Sequence, residues 1–252
     1  SFFGGKGGVG KSVLAGAAAL AEARRGRRTL LASTSPLPSL SGLLDQPVFG
    51  RPGPVAGAPQ LFACELDPGE SVERSRRQIR EKAEWLLDLA AIRTRADAVL
   101  DAAALNPAFQ EAAMFERMVD LMLEDEYEVY VFDTAPAANA RRLLARSSLH
   151  GLWLARMLER REEARALRRR LSYSRGKEPD ALGDHLRALQ ERTGRARRLL
   201  TDPERTAFFF VTLPEALPIA VVRRALAWLR EFDIPVGGVV INMLLDAELD
   251  LV

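Results

Sequence analysis

Short blocks dense in β-branched and aromatic residues recur along the chain at positions 29–34, 61–66, 127–133, 206–212 and 236–242. Their length and composition predict strands, and Ser1-Phe2-Phe3 reads as the end of another. In Val129-Tyr130-Val131-Phe132 and in Phe208-Phe209-Phe210-Val211 the apolar residues are continuous rather than alternating. That pattern belongs to strands buried on both faces, and so to a mostly parallel sheet flanked by helices. Helical spacing fills the intervals. Gly26 is placed to end the first helix, and Asn106-Pro107 supplies a cap followed by a proline suited to the first helical position. Two helical stretches, 71–123 and 149–200, exceed what sheet crossovers need and are expected to form an inserted helical subdomain. The whole chain, 1–252, is read as a single doubly wound α/β domain, with the Pro/Gly-rich piece 46–59 as a surface loop.

Composition narrows this picture in a few ways. With 252 residues and 48% hydrophobic content the chain can bury a full core, which excludes disorder as its dominant state. The 36 basic and 34 acidic residues nearly cancel to a formal charge of +2, so no nucleic-acid partner is expected. Residues 151–200 carry 14 basic against 7 acidic side chains, a local excess that reads first as a solvated, arginine-decorated helical face. A lone cysteine, Cys64, can neither close an intrachain disulfide nor build a thiolate metal site. No apolar run approaches the roughly 18 residues of a membrane span, and nothing at the start reads as a signal peptide. The expected location is the cytoplasm, with peripheral attachment to a membrane compatible with it.

The chemistry sits near the start. Gly5-Lys6-Gly7-Gly8-Val9-Gly10-Lys11-Ser12 has a glycine, four residues, then Gly-Lys-Ser, between a strand end and a helical run. This is the phosphate-loop pattern. Its glycines let backbone N–H groups converge on phosphates, and the helix beginning near Lys11 adds the positive end of its dipole. Lys11 is expected at the β- and γ-phosphates, the Ser12 hydroxyl on Mg²⁺, and Val13 beside them in the first helical turn. Tyr130-Val131-Phe132-Asp133 is an apolar strand ending in a carboxylate, placed to hold the same Mg²⁺ through water. ATP and Mg²⁺ are therefore the predicted ligands.

Lys6 is not needed by an ordinary phosphate loop. The segment GGKGGVGKS resembles the deviant Walker A ATPases, a P-loop NTPase family that includes the arsenite-pump ATPases and the tail-anchored-protein-targeting ATPases. The resemblance implies that Lys6 reaches across a homodimer interface to the nucleotide of the partner subunit, a positive charge given in trans. It also implies a membrane-protein or transporter partner. Phe132-Asp133-Thr134-Ala135-Pro136 is similar to the second switch of this branch, and Ser33-Thr34-Ser35-Pro36 to its first switch, Ser-Thr-Asp-Pro. Val211-Thr212-Leu213-Pro214-Glu215 and Val240-Ile241-Asn242 follow in the family's order, which implies that Glu215 lies at the nucleotide and that Asn242 reads the adenine. On spacing alone, Glu215 equally suits a carboxylate in a helix first turn, and Asn242 a turn.

The departures matter as much. Ser35 stands where the family keeps an aspartate, and a serine hydroxyl holds a water but is a poor acceptor for its proton. Ala137-Ala138-Asn139 replaces the usual Thr-Gly-His of the second switch. The cysteines of arsenite pumps, of the targeting factors' zinc clasp and of the nitrogenase iron protein are all missing. Cys64, within an apolar strand, reads as a buried small side chain, and His150 and His185 are too far apart in sequence to suggest a metal site. Three functions are compatible: an ATPase coupling nucleotide state to transport or targeting, a nucleotide-gated binding protein with little hydrolysis, and a chaperone-like targeting factor for apolar segments. For the last, a groove from Trp85, Leu86, Leu87, Leu89, Met114, Phe115, Met118, Leu121 and Met122 competes with ordinary core packing of the same residues.

Overall fold

A computed structural model describes residues 1–35, 38–75, 77, 107–134 and 181–244. In chain order the described elements are β1 (Phe2–Gly4), α1 (Lys11–Arg24), β2 (Thr29–Ser33), α2 (Ser39–Leu44), β3 (Gly53–Val55), β4 (Ala58–Glu65), α3 (Pro107–Glu124), β5 (Val129–Asp133), α4 (Ala181–Thr201), β6 (Phe208–Thr212), α5 (Ala216–Glu231) and β7 (Val236–Ile241). The strands form one seven-stranded sheet in the order β3-β4-β2-β5-β1-β6-β7. Every pairing is parallel except β3 with β4. From the central β1 the chain first crosses to β2 on one side, and only later to β6 on the other. This reversal marks the place where an open α/β sheet leaves a crevice beyond its strand ends.

Both faces of the sheet are covered, and alternate residues of each strand serve opposite cores. Phe2, Leu30, Ala32, Cys64, Phe132, Phe208 and Phe210 face one core together with Met118, Met122, Leu200 and Trp228 from the helices. Phe3, Leu31, Ala63, Val131 and Val211 face the other, against Ala15, Ala19 and Ala23 of α1. Those three alanines recur every four residues, and their small size lets α1 lie close to the sheet. On the first face Phe2 stacks between Phe132 and Phe208 at centroid distances of 4.9 and 4.4 Å. Methionines 114, 118 and 122 and Leu121, offered by the sequence as groove or core, are buried, so these four belong to the core. The other five groove candidates lie outside the described residues or have side chains that do.

The strand expectations hold, with one correction. The piece 46–59, expected to be loop, contains β3, which pairs with β4 as an antiparallel hairpin through Gly53↔Ala63, Pro54↔Phe62 and Val55↔Ala58. Pro54 is tolerated because β3 is an edge strand with one unpaired side. Gln46 closes the turn, its amide donating to Pro54 O at 3.0 Å and its carbonyl accepting from Ala56 N at 2.8 Å. The hairpin also explains why β4 begins at Ala58. The first helix ends as expected: Gly26, at φ 86°, follows Arg25, and Gly26 N donates to Ala23 O at 3.0 Å.

Of the two helical stretches, α3 and α4 are described. Asp120 of α3, only 9% exposed, is clasped between Arg192 of α4 and Arg74. Apart from 71–75 and 77, the remainder of the expected subdomain, together with 135–139 and His150, lies outside the described residues. Among those described, no helix is long and apolar enough to cross a membrane.

Candidate nucleotide site

The parallel register brings polar residues to one row at the carboxyl ends of adjacent strands. Ser33 pairs with Glu65 on one side and Asp133 on the other, and Phe3, just before the phosphate loop, also pairs with Asp133. Ser33, Glu65 and Asp133 are all buried. Buried polar groups need partners, and here these partners build a site.

The loop Gly5–Ser12 leaves β1 directly into α1, whose first residue is Lys11. Gly5 passes so close to the neighbouring strand that a Cβ there would sit 2.2 Å from Val211 O. Val9 is fully buried and anchors the loop in the α1-side core. Gly10 caps α1 with φ 92°, and a Cβ on it would meet Asn242 Nδ2 at 2.5 Å. Nothing lies within 4 Å of where side chains would project from Gly7 and Gly8, which leaves the crown of the loop open to a phosphate.

Lys11 Nζ donates to Lys6 O at 2.9 Å, folding its side chain back along the loop. An ammonium has three donors, so this bond leaves others for a ligand. Burial pushes the Lys11 pKa down, and the Asp133 carboxylate opposes that shift. Ser12 Oγ donates to Asp133 Oδ2 at 2.6 Å, which unites the two residues expected at Mg²⁺. A hydroxyl and a carboxylate are hard oxygen donors, and Mg²⁺ in phosphate sites takes one or two protein oxygens with the remainder from water and phosphate. The pair fits that ion. No group of three metal-ligating side chains occurs among the described residues.

The other expected residues are placed as follows. Lys6 is exposed on the loop, and Val13 is exposed in the first turn of α1. Asn242 follows β7, its backbone N donating to Thr212 O at 2.8 Å and its Nδ2 donating to Val9 O at 3.0 Å. It thus holds the phosphate loop from the side. Glu215 is the N-cap residue of α5, exposed and making no side-chain cap bond. Ser35 lies beyond β2, with its N–H donating to Ser33 Oγ at 3.1 Å. Cys64 is fully buried, and its thiol pKa is pushed up to about 12 by burial, as a core side chain should be.

At the site, Ser33 was expected only as part of the first-switch segment, and Glu65 had no expected role. Ser33 Oγ donates to Asp133 Oδ2 at 3.2 Å and lies 3.3 Å from Ser39 Oγ. Glu65 accepts from Leu40 N at 2.6 Å, Ser41 N at 3.3 Å and Ser41 Oγ at 2.6 Å, and so clamps the first turn of α2. The available signal was that β2, β4 and β5 each end an apolar run in a polar residue.

The family model of the anion-transporting ATPases matches residues 1–250. The chain belongs to the anion-transporting ATPase family. It is 34% identical over 241 residues to a Halobacterium salinarum protein named as an arsenical pump-driving ATPase, covering 96% of this chain and 34% of that one. Against the ATPase GET3A of Arabidopsis thaliana it is 30% identical over 248 residues, covering 97% of this chain and 66% of the relative. An arsenical pump-driving ATPase 2 of Aquifex aeolicus is 28% identical over 246 residues, 97% of this chain and 79% of that one. The chain thus spans between a third and four-fifths of the length of these relatives. The family resemblance expected from the phosphate loop and switch segments is borne out, as is the α/β fold.

Proposed function

We propose that this chain binds Mg–ATP at the Gly5–Ser12 loop and hydrolyses it, using the nucleotide state to open and close a homodimer that handles a membrane-protein or transporter partner in the cytoplasm. The observation that carries the reading is the 2.6 Å bond from Ser12 to Asp133 beside the open crown of the loop. It supports a Mg²⁺ position next to the place a triphosphate would occupy. Lys11 would neutralise charge on the β- and γ-phosphates, while Lys6, exposed on the loop, would reach the partner subunit's nucleotide. When bound, Mg²⁺ would withdraw charge from the phosphate oxygens. In hydrolysis a water oxygen bonds to the γ-phosphorus as its bond to the bridging oxygen breaks, ADP leaves, and the water's proton passes to solvent or phosphate. Glu215 and Asn242 are proposed to border the nucleoside, Asn242 from its position against Val9.

Ser35 favours a second reading, a nucleotide-gated binding protein with little turnover. A hydroxyl in place of a carboxylate forfeits a factor of about 10²–10⁴ where proton removal matters. Titration of a fluorescent ATP analogue, together with phosphate release by the native chain, Lys11→Ala and Ser35→Asp, tests both. Binding abolished by Lys11→Ala supports the site, and a native chain that binds no nucleotide refutes it. A native chain that binds without turnover, and gains it in Ser35→Asp, selects the second reading. Sedimentation with a nonhydrolysable analogue should show dimers that Lys6→Ala loses.

A further inference from the structure

We propose that Glu65 is a positioning residue for the Mg²⁺ site: by pinning α2 to the sheet it holds the Ser39 and Ser33 hydroxyls in line on the Asp133 carboxylate. The proposal deepens the Mg–ATP reading above and rests on it. In register, Ser33 lies between Glu65 and Asp133. Two residues earlier on the same strands, Leu31, Ala63 and Val131 all belong to the core beneath α1, so alternation turns Ser33, Glu65 and Asp133 to that same face. There Ser12, at the start of α1, donates to Asp133 Oδ2 at 2.6 Å, and Ser33 Oγ donates to the same oxygen at 3.2 Å. A hydroxyl has one hydrogen to give, and Ser33 gives its own to Asp133. In the 3.3 Å contact between the Ser39 and Ser33 hydroxyls, Ser39 is therefore the donor. The hydrogen bonds run in one direction, from Ser39 through Ser33 to Asp133.

Glu65 fixes the origin of that chain. Its buried carboxylate accepts from Leu40 N at 2.6 Å and Ser41 N at 3.3 Å through Oε1, and from Ser41 Oγ at 2.6 Å through Oε2. Helix α2 has only six residues, and Pro38, its N-cap residue, makes no side-chain cap bond. A serine or asparagine at the cap would satisfy such N–H groups locally, without burying a charge. What the buried carboxylate adds is attachment, because it fastens residues 40 and 41 to the end of β4 beside Ser33. A second tie follows: Glu65 N donates to Val48 O at 2.6 Å, and Val48 N donates to Ser41 Oγ at 3.2 Å. Ser39, one residue before Leu40, is thereby held against Ser33. Hydrogen-bond partners of the carboxylates at a metal orient them and tune its affinity.

Affinity for a nonhydrolysable ATP analogue, measured by calorimetry with excess Mg²⁺ and again with EDTA, tests this in the native chain, Glu65→Gln, Ser39→Ala and Val48→Ala. The ratio of the two affinities isolates the contribution of the metal. Glu65→Gln and Ser39→Ala should each lower that ratio by at least about threefold, less than the roughly 10–100-fold of a group bonded directly to a metal ligand, and leave the affinity in EDTA unchanged. Val48→Ala trims the buried core beside α2 but removes none of these hydrogen bonds, and should keep the native ratio. A merely structural role for Glu65 would lower stability or the fraction of protein able to bind and leave the ratio at its native value. An unchanged ratio in Glu65→Gln or in Ser39→Ala, or an equal fall in Val48→Ala, would overturn the proposal. Should Glu65→Gln not fold, Ser41→Ala, which removes the hydroxyl bonded to Oε2, takes its place, and an unchanged ratio there is equally decisive against Glu65. If the native chain binds the analogue equally well with Mg²⁺ and with EDTA, the proposal falls while nucleotide binding stands; if it binds no analogue at all, the Mg–ATP reading falls and takes the proposal with it.

Discussion

Substituting alanine for Gly10 tests how the phosphate loop is braced. Gly10 has φ 92°, where a side chain costs about 1–2 kcal/mol. Its new Cβ would also lie 2.5 Å from Asn242 Nδ2 and force that amide off Val9 O, a bond of 3.0 Å worth about 1 kcal/mol. Gly10→Ala should therefore lower unfolding free energy by about 2–3 kcal/mol. Asn242→Ala, losing only the bond, should cost about 1 kcal/mol. The informative variant is the double. With Asn242 truncated the added methyl has nothing to displace, so Gly10→Ala/Asn242→Ala should be about as stable as Gly10→Ala alone. The resulting coupling of about 1 kcal/mol is well beyond the few tenths expected of independent sites. Urea denaturation of the four proteins at one temperature measures it. Strict additivity, or a neutral Gly10→Ala, would refute the view that Asn242 buttresses the loop.

Other consequences are equally direct. Glu65→Gln keeps one oxygen to accept from Leu40 N and Ser41 N but sets an amide donor against Ser41 Oγ, and should lower the urea midpoint by the equivalent of about 1–3 kcal/mol, since bonds to a buried carboxylate are the stronger kind; a midpoint unchanged within error would remove Glu65 from the loop's support. Cys64, its thiol pushed up to about 12 by burial, should resist iodoacetamide at pH 8 in the folded protein and react on unfolding, as read by mass spectrometry. Lys11 should lose its proton at a lower pH than an ordinary lysine, because burial pushes its pKa down. The charged ammonium that favours ATP is present below that pKa and lost above it, so affinity for the ATP analogue should fall as pH rises on the alkaline side. Lys11→Arg, which keeps its charge there, should flatten that limb of the titration.

Much of this was legible before any coordinates. The continuous apolar runs at 129–132 and 208–211 could only be satisfied by strands covered on both faces, and they announced the parallel sheet. The Gly-rich loop ending in Lys11-Ser12 declared its chemistry because phosphate binding by backbone N–H groups needs glycines at fixed offsets from a helix start. The hairpin of β3 escaped because Pro54 and the surrounding glycines read as loop; the pairing that overrides them belongs to β4 and Gln46, outside local propensity.

Local pattern therefore determined the elements other than the β3 hairpin, their burial and the phosphate loop, since each depends on residues near one another in the chain. Only the tertiary structure decided which distant residues share the site. Ser12 meets Asp133 across 121 positions, and Asn242 meets Val9 across 233. Ser33 and Glu65 acquired their places only when parallel register set β2 between β4 and β5. A strand's periodicity shows which face a side chain occupies; which neighbour it touches is set by strand order, a property of the whole sheet.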